Sequence, residues 1–103
     1  MNIQFKKGIL ELLVLSLLKK RDMYGYELAS KISENIAISE GTIYPLLRRL
    51  NKEGYFETYL KESSEGPPRK YYKIAKSGVK AHAELHDEWN VFLNDVSIIL
   101  KEK

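Results

Sequence analysis

The sequence contains no cysteine. Neither a disulfide framework nor a thiolate metal site can be built from it, and nothing in it calls for an oxidising compartment. Proline is scarce, at three residues, and two of them are adjacent at Pro67 and Pro68. Long hydrophobic runs are missing as well. The apolar stretch from Ile9 to Leu18 is too short to span a bilayer and contains Glu11. Lys19, Lys20, Arg21 and Asp22 follow it, where a secretory signal would need small residues. It reads as a buried core helix of a cytoplasmic protein. Catalytic groupings are absent too: there is no nucleophile–base–acid set, no glycine-rich phosphate loop and no pair of acids in a pocket-forming context. Ser63 and Ser64 fall in a hairpin loop, not on a strained elbow. The chain is therefore not expected to be an enzyme, and no cofactor is expected.

The chain has 103 residues, of which 44% are apolar, enough for one folded domain with a modest core. The net charge is only +3, but it is unevenly placed. Residues 1–76 carry 14 Lys and Arg against 9 Asp and Glu, while residues 77–103 carry 3 against 5. A basic body with a mildly acidic tail suits a nucleic-acid surface on the body and another task for the tail.

Hydrophobic periodicity predicts four helices and a hairpin. The first helix runs from about Phe5 to Lys20, with Ile9, Leu10, Leu13, Leu17 and Leu18 at helical spacing. Leu12, Val14 and Leu15 widen this face, so the helix should be buried on most sides. The second covers about Tyr24 to Ser33, with Leu28, Ala29 and Ile32 inward. The third opens at Ser39, a good N-cap, and places Ile43, Leu46, Leu47 and Leu50 on one face before Gly54 stops it. Pro45 inside it predicts a bend or a tightened first turn. The short turn Asn35 to Ser39 between helices two and three is what a helix-turn-helix needs. Strands are expected from Tyr55 to Lys61 and from Arg69 to Ile74, joined by a loop from Glu62 to Pro68 in which the two prolines end strand pairing. The last helix should run from about Ser77 to Lys101. His82, His86, Trp89, Leu93, Val96 and Leu100 step by four and three residues, a heptad seam. Leu85, Phe92 and Ile99 form a second stripe. A helix of that length overhangs its body, and a partner helix should cover the seam.

The fold class expected is mainly α with a small β-hairpin (α+β): a winged helix-turn-helix over residues 1–76 and a C-terminal dimerisation helix over residues 77–103, packed as one compact unit. In that order the third helix enters a major groove and the hairpin touches the adjacent backbone or minor groove. Thr42 and Tyr44 can donate to phosphate or base edges, and Arg48 can bond a guanine edge with two parallel hydrogen bonds. Gly41 lets backbone N–H groups approach a phosphate. Pro45 and Arg49 share this outer face. The wing brings Gly66, Arg69 and Lys70. A solvated bundle face and a hairpin with a charged, aggregation-blocking edge are the plainer alternatives.

The stretches MYGYELASKI, SEGTIYPLLRRLNKEGY and EGPPRKYYKIAKSG, in this order and spacing, resemble the PadR family of bacterial and archaeal transcriptional regulators. The resemblance runs from about Phe5 to Lys101, and GTIYPLLRRL followed by RKYY carries most of its specificity. It implies a dimeric winged helix-turn-helix regulator of the small type, with a single C-terminal helix as the dimer element. By likeness Thr42, Tyr44, Pro45 and Arg48 fall on the recognition helix, and Gly66, Arg69 and Lys70 on the wing. The chain departs from the family at Ala75, where a helix-capping threonine is common. Ser77 must then cap the last helix later, or the cap is lost at about 1 kcal/mol.

Trp89, the single tryptophan, is either a dimer-core aromatic or an effector platform. Similar small family members hold a tryptophan at the matching point, where two of them sandwich flat aromatic compounds. The resemblance thus implies an effector site of Trp89, His86, Phe92 and Leu93, within a dimer interface of Leu85, Trp89, Phe92, Leu93, Val96 and Leu100. His82 and His86 lie one turn apart and could share a metal, but HAELH is not the zinc-protease pattern, because Glu84 is one position late. No metal is expected; the two histidines read as seam residues near solvent that would weaken a dimer if protonated together.

These readings converge on a sequence-specific regulator. It would be a homodimeric repressor of an inverted-repeat operator in double-stranded DNA, relieved by a flat aromatic small molecule at the dimer interface, with no membrane partner. A winged-helix protein–protein adaptor and an effector-independent regulator are the alternatives.

Overall fold

The computed structural model describes residues 3–102, with side chains described from Gly8 onward. The side chain of Phe5 lies outside them. The order of elements is α1 (Ile3–Lys20), β1 (Met23–Tyr24), α2 (Gly25–Ser33), α3 (Glu40–Lys52), β2 (Phe56–Ser63), β3 (Gly66–Ile74) and α4 (Lys76–Lys101). The three strands form one antiparallel sheet in the order β1-β3-β2.

The core gathers the inner faces of α1, α2 and α3 against one face of the sheet. Leu10, Val14 and Leu18 meet Leu28, Ala29 and Ile32, then Ile43, Leu46, Leu47 and Leu50, then Met23, Phe56 and Tyr72. Every apolar position at helical spacing in α2 and α3 is buried. Fully burying one such leucine stabilises the fold by about 2 kcal/mol relative to exposing it. Phe56 meets Tyr72 edge-on at 4.9 Å across the sheet.

Two strand expectations need correction. Tyr24, expected to open the second helix, lies instead with Met23 in a third strand, the two pairing with Tyr71 and Tyr72. Two residues are too few to show alternation, so no period-2 signal exists to read. The loop from Glu62 to Pro68 also does not form. The strands continue to a tight turn at Ser64 and Glu65, and Ser63 pairs with Gly66. The prolines are accommodated by an irregular register: Lys61 pairs with Arg69, so Glu62 alone faces both Pro67 and Pro68. At this bulge a missing N–H costs little, because β1 pairs with β3 only at Tyr71 and Tyr72 and leaves that stretch an edge.

α3 runs through Pro45 as one helix. Its first turn is tightened, with the Thr42 N–H donating to the Ser39 carbonyl at 3.1 Å. Ser39 occupies the N-cap position, but its hydroxyl pairs with that of Thr42 at 3.3 Å and not with the backbone. At the other end Gly54 takes φ 81°. The Gly54 N–H donates to the Asn51 carbonyl and the Tyr55 N–H to the Leu50 carbonyl, the paired bonds of a glycine-closed helix end.

α4 starts at Lys76, with Ala75 at its N-cap and no side-chain cap. Ser77 does not cap it later; its hydroxyl donates to the Gly54 carbonyl at 2.6 Å. The helix is instead held by that turn. The Ala75 N–H donates to the Tyr55 carbonyl at 3.0 Å, and Gly78 lies so close that a Cβ there would fall 2.1 Å from the same oxygen. His82, read as a seam residue near solvent, is buried, and its Nε2 lies 2.8 Å from the Ser16 hydroxyl of α1. Beyond His82 no residue of α4 is buried. At 1.5 Å per residue the helix is about 39 Å long, and it sets the long axis of a molecule measuring 58 × 28 × 21 Å.

Gly78→Ala drives a methyl group into the Tyr55 carbonyl and is expected to cost about 3 kcal/mol, the upper end for overpacking; urea unfolding checks this, and an unchanged midpoint would mean that α4 docks elsewhere. Burial, then the nearby Lys19 and His86 charges, hold His82 below the ordinary histidine pKa. The folded chain therefore binds fewer protons than the unfolded one. Stability should be full above the unfolded value of about 6.5 and decline as pH falls toward the depressed folded value. Thermal unfolding at pH 5 and 7.5 reads this, and His82→Gln should flatten the difference.

Candidate nucleic-acid interface

Because Ile43, Leu46, Leu47 and Leu50 all turn inward, the opposite side of α3 faces solvent. Gly41, Pro45, Arg48 and Arg49 are exposed there, and Thr42 and Tyr44 are half-buried. Gly41 has open space around it: a Cβ would meet only the Ser39 hydroxyl, at 3.7 Å. No internal contact requires glycine at that point.

Tyr44 and Arg49 differ from the picture of free outward side chains. The Tyr44 ring lies against the start of α2, its Cε1 3.0 Å from where a Gly25 side chain would begin. Burial, then Glu40 and Tyr26, raise its phenol pKa, so the hydroxyl stays a donor. Arg49 is held by Glu53 of its own helix at 2.9 Å and by Glu11 of α1 at 3.4 Å. Arg48 remains exposed beside Asn51 and Lys52, which line the same shallow cavity. A second, smaller cavity of about 220 Å³ separates α1 from the outer side of α3, lined by Leu10, Thr42, Pro45, Leu46 and Arg49.

The wing places its cations on rings. Arg69 Cζ stands 4.6 Å from the centre of Tyr24, Lys70 Nζ 5.8 Å from that of Tyr72 and Lys61 Nζ 5.2 Å from that of Tyr71. Gly66 follows the turn and is exposed. Two residues of this surface escaped the sequence reading. Tyr26, in the first turn of α2, is 57% exposed, a large ring beside the recognition helix. Tyr24 underlies Arg69. A tyrosine on each side of Gly25 was the available signal.

α3 followed by a cationic wing on one side of a three-helix core is the geometry of a winged helix-turn-helix. Residues 14–84, more than half of the chain, match the family described as Transcriptional regulator PadR-like family. The chain belongs to the PadR-like family of transcriptional regulators. A PadR-like transcriptional regulator from Bacillus cereus is 39% identical, with 97% of this chain and 99% of that one covered at a TM-score of 0.87. A protein from Streptococcus mutans is 37% identical over 92% and 89% of the two chains, at a TM-score of 0.86. An uncharacterized protein of Lysinibacillus sphaericus is 37% identical over 87 residues, 81% of this chain and 80% of its own length. As a PadR-like regulator the chain binds DNA and is not an enzyme. Among the described residues no helix is long and apolar enough to cross a membrane.

On α4 the structure brings together only part of the expected effector set. Trp89 is half-buried, with its ring 6.3 Å from Phe92, while His86 and Leu93 are exposed. An open groove of about 440 Å³ on the neighbouring face is lined by Asp87, Glu88, Val91, Phe92 and Asp95, and shares only Phe92 with that set. His82 and His86 lie 5.6 Å apart, centre to centre. Among the described residues no group of three or more His, Cys, Asp or Glu is gathered as a metal site would need.

Arg48→Ala should weaken operator binding by about 1–3 kcal/mol if Arg48 reads a base edge. Arg49→Ala should cost less, because its charge is already shared with Glu11 and Glu53. Fluorescence anisotropy with labelled operator DNA measures both; a larger loss for Arg49 would reverse the assignment of the face.

Proposed function

We propose that the protein is a homodimeric repressor of an inverted-repeat operator, relieved by a flat aromatic effector held between the two α4 helices. The observation that carries the dimer is the apolar surface of α4 beyond the body. Val91, Phe92, Leu93, Ile98, Ile99 and Leu100 are all exposed on a helix whose last buried residue is His82. So much exposed apolar surface on one helix marks an interaction site, and the seam residues Trp89, Leu93, Val96 and Leu100, with Leu85 and Phe92 of the second stripe, suit a second copy of the same helix.

In this reading each α3 enters one major groove, with half-sites one helical turn apart, about 34–36 Å, or a multiple of it. Arg48 contacts a base edge, and Thr42, Tyr44, Pro45 and Arg49 follow the groove wall. The open space at Gly41 lets the helix start approach a phosphate. Gly66, Arg69 and Lys70 meet the backbone beside it, and Tyr26 adds a hydroxyl donor. Bound protein blocks polymerase on the chromosome, in the cytoplasm.

The effector would stack on Trp89 and its symmetry mate, edged by His86, Phe92 and Leu93. The acidic side chains Asp87, Glu88 and Asp95 on the same helix favour a cationic planar compound. By linkage, an effector that weakens DNA binding is itself bound more weakly by the DNA complex, by the same factor. The exposed Arg48 and the cationic wing weigh against a protein–protein adaptor.

Sedimentation of wild type and Leu93→Glu, with Trp89 fluorescence followed during titration with planar cationic dyes, tests both parts. A wild-type dimer, a monomeric Leu93→Glu and quenching only in the dimer are expected. Monomeric wild type would sink the dimer. A dimer silent to a broad panel of dyes would leave an effector-independent regulator.

A further inference from the structure

The outer face of the sheet carries a continuous row of rings. Tyr24 of β1 and Tyr59 of β2 both lie opposite Tyr71 of β3. Tyr59 and Tyr71 stack at 5.6 Å with 16° between their planes, and Tyr24 tilts onto Tyr71 at 5.5 Å. The Tyr59 hydroxyl donates to the Asp22 carboxylate at 2.7 Å, which ties the far side of the row to the chain just before β1. At the near end Arg69 lies over Tyr24.

That last contact joins two parts of the molecule that must meet DNA together. Arg69 belongs to the wing. Tyr24 is the N-cap residue of α2, and the residue after it, Gly25, rests against Tyr44 of the recognition helix. A guanidinium is weakly hydrated and planar, so it can stack one face on a ring and keep N–H donors free at its edge. A long side chain held this way loses less conformational freedom when it meets a phosphate.

We infer that Tyr24 is a positioning residue for DNA binding: its ring holds Arg69 beside the start of α2, so the wing cation meets the phosphate backbone from a fixed point of the helix-turn-helix. This role rests on the proposed use of the wing against DNA. Tyr24 acts through Arg69 and not by its own contact. Its hydroxyl is therefore dispensable, and its ring matters only while Arg69 is present.

The test compares wild type, Tyr24→Phe, Tyr24→Leu, Arg69→Ala and the double variant Tyr24→Leu with Arg69→Ala. Phosphate contacts do not depend on sequence, so a mixed-sequence duplex serves as the probe at several salt concentrations. Tyr24→Leu should weaken binding about two- to fivefold and flatten its salt dependence, as expected for a lost cation–ring contact. Tyr24→Phe should restore wild-type binding, and Tyr24→Leu should have no effect on the Arg69→Ala protein. Wild-type affinity in Tyr24→Leu overturns the role. So does an equal loss with and without Arg69, because damage to the fold would appear in both backgrounds. Wild type that does not bind the duplex at low salt fails at an earlier step, and overturns the DNA-binding face along with the role.

Discussion

Three elements of this protein meet at two residues. Gly54 ends α3 in a conformation that favours glycine, and Tyr55 begins the run into β2. The carbonyl oxygens of the same pair receive the Ser77 hydroxyl and the Ala75 N–H, and Gly78 is pressed against Tyr55. The recognition helix, the wing and the long C-terminal helix are thus fixed to one another at a single backbone turn. No side chain larger than hydrogen fits at Gly78, so α4 has no slack there in which to slide.

That junction gives the proposed regulation a physical route. If two α4 helices pair along their exposed seam, the separation of the two recognition helices is set by how α4 leaves the Gly54–Tyr55 turn. A second tether is the half-buried contact between Ser16 of α1 and His82 of α4, whose Nδ1 has no hydrogen-bond partner among the described residues. A ligand that shifts one α4 against the other would move each body as a unit. Both recognition helices must fit their grooves at once, so a displacement of a few ångströms at that distance is enough to lose one of them.

The parts of this arrangement legible in the sequence are those written as periodicity. The inward residues of α2 and α3, the order of helices and hairpin, and the overhang of α4 all follow from apolar spacing, and the family is carried by the motifs around GTIYPLLRRL and RKYY. The misreadings concern contacts between residues far apart in the chain. Pro67 and Pro68 signal the end of a strand unless one knows that β1 is too short to pair beside them. Ser77 looks like a cap until the Gly54 carbonyl is found 23 residues away. His82 fits a solvent seam by spacing, and only the position of Ser16 shows that α1 covers it. Arg49 has the same sequence pattern as Arg48, yet Glu11 and Glu53 hold it. Tyr24 carries no marker of its own, because its meaning depends on Arg69.

The central claim, that α3 and the wing read a specific DNA site, is tested most directly by one comparison. Purified protein is titrated against the duplex from upstream of its own coding sequence and against a scrambled duplex of equal length, at two salt concentrations. A preference of about a thousandfold or more for the upstream duplex is expected. Equal, steeply salt-dependent affinity for both duplexes would contradict it, because only phosphate contacts would then remain.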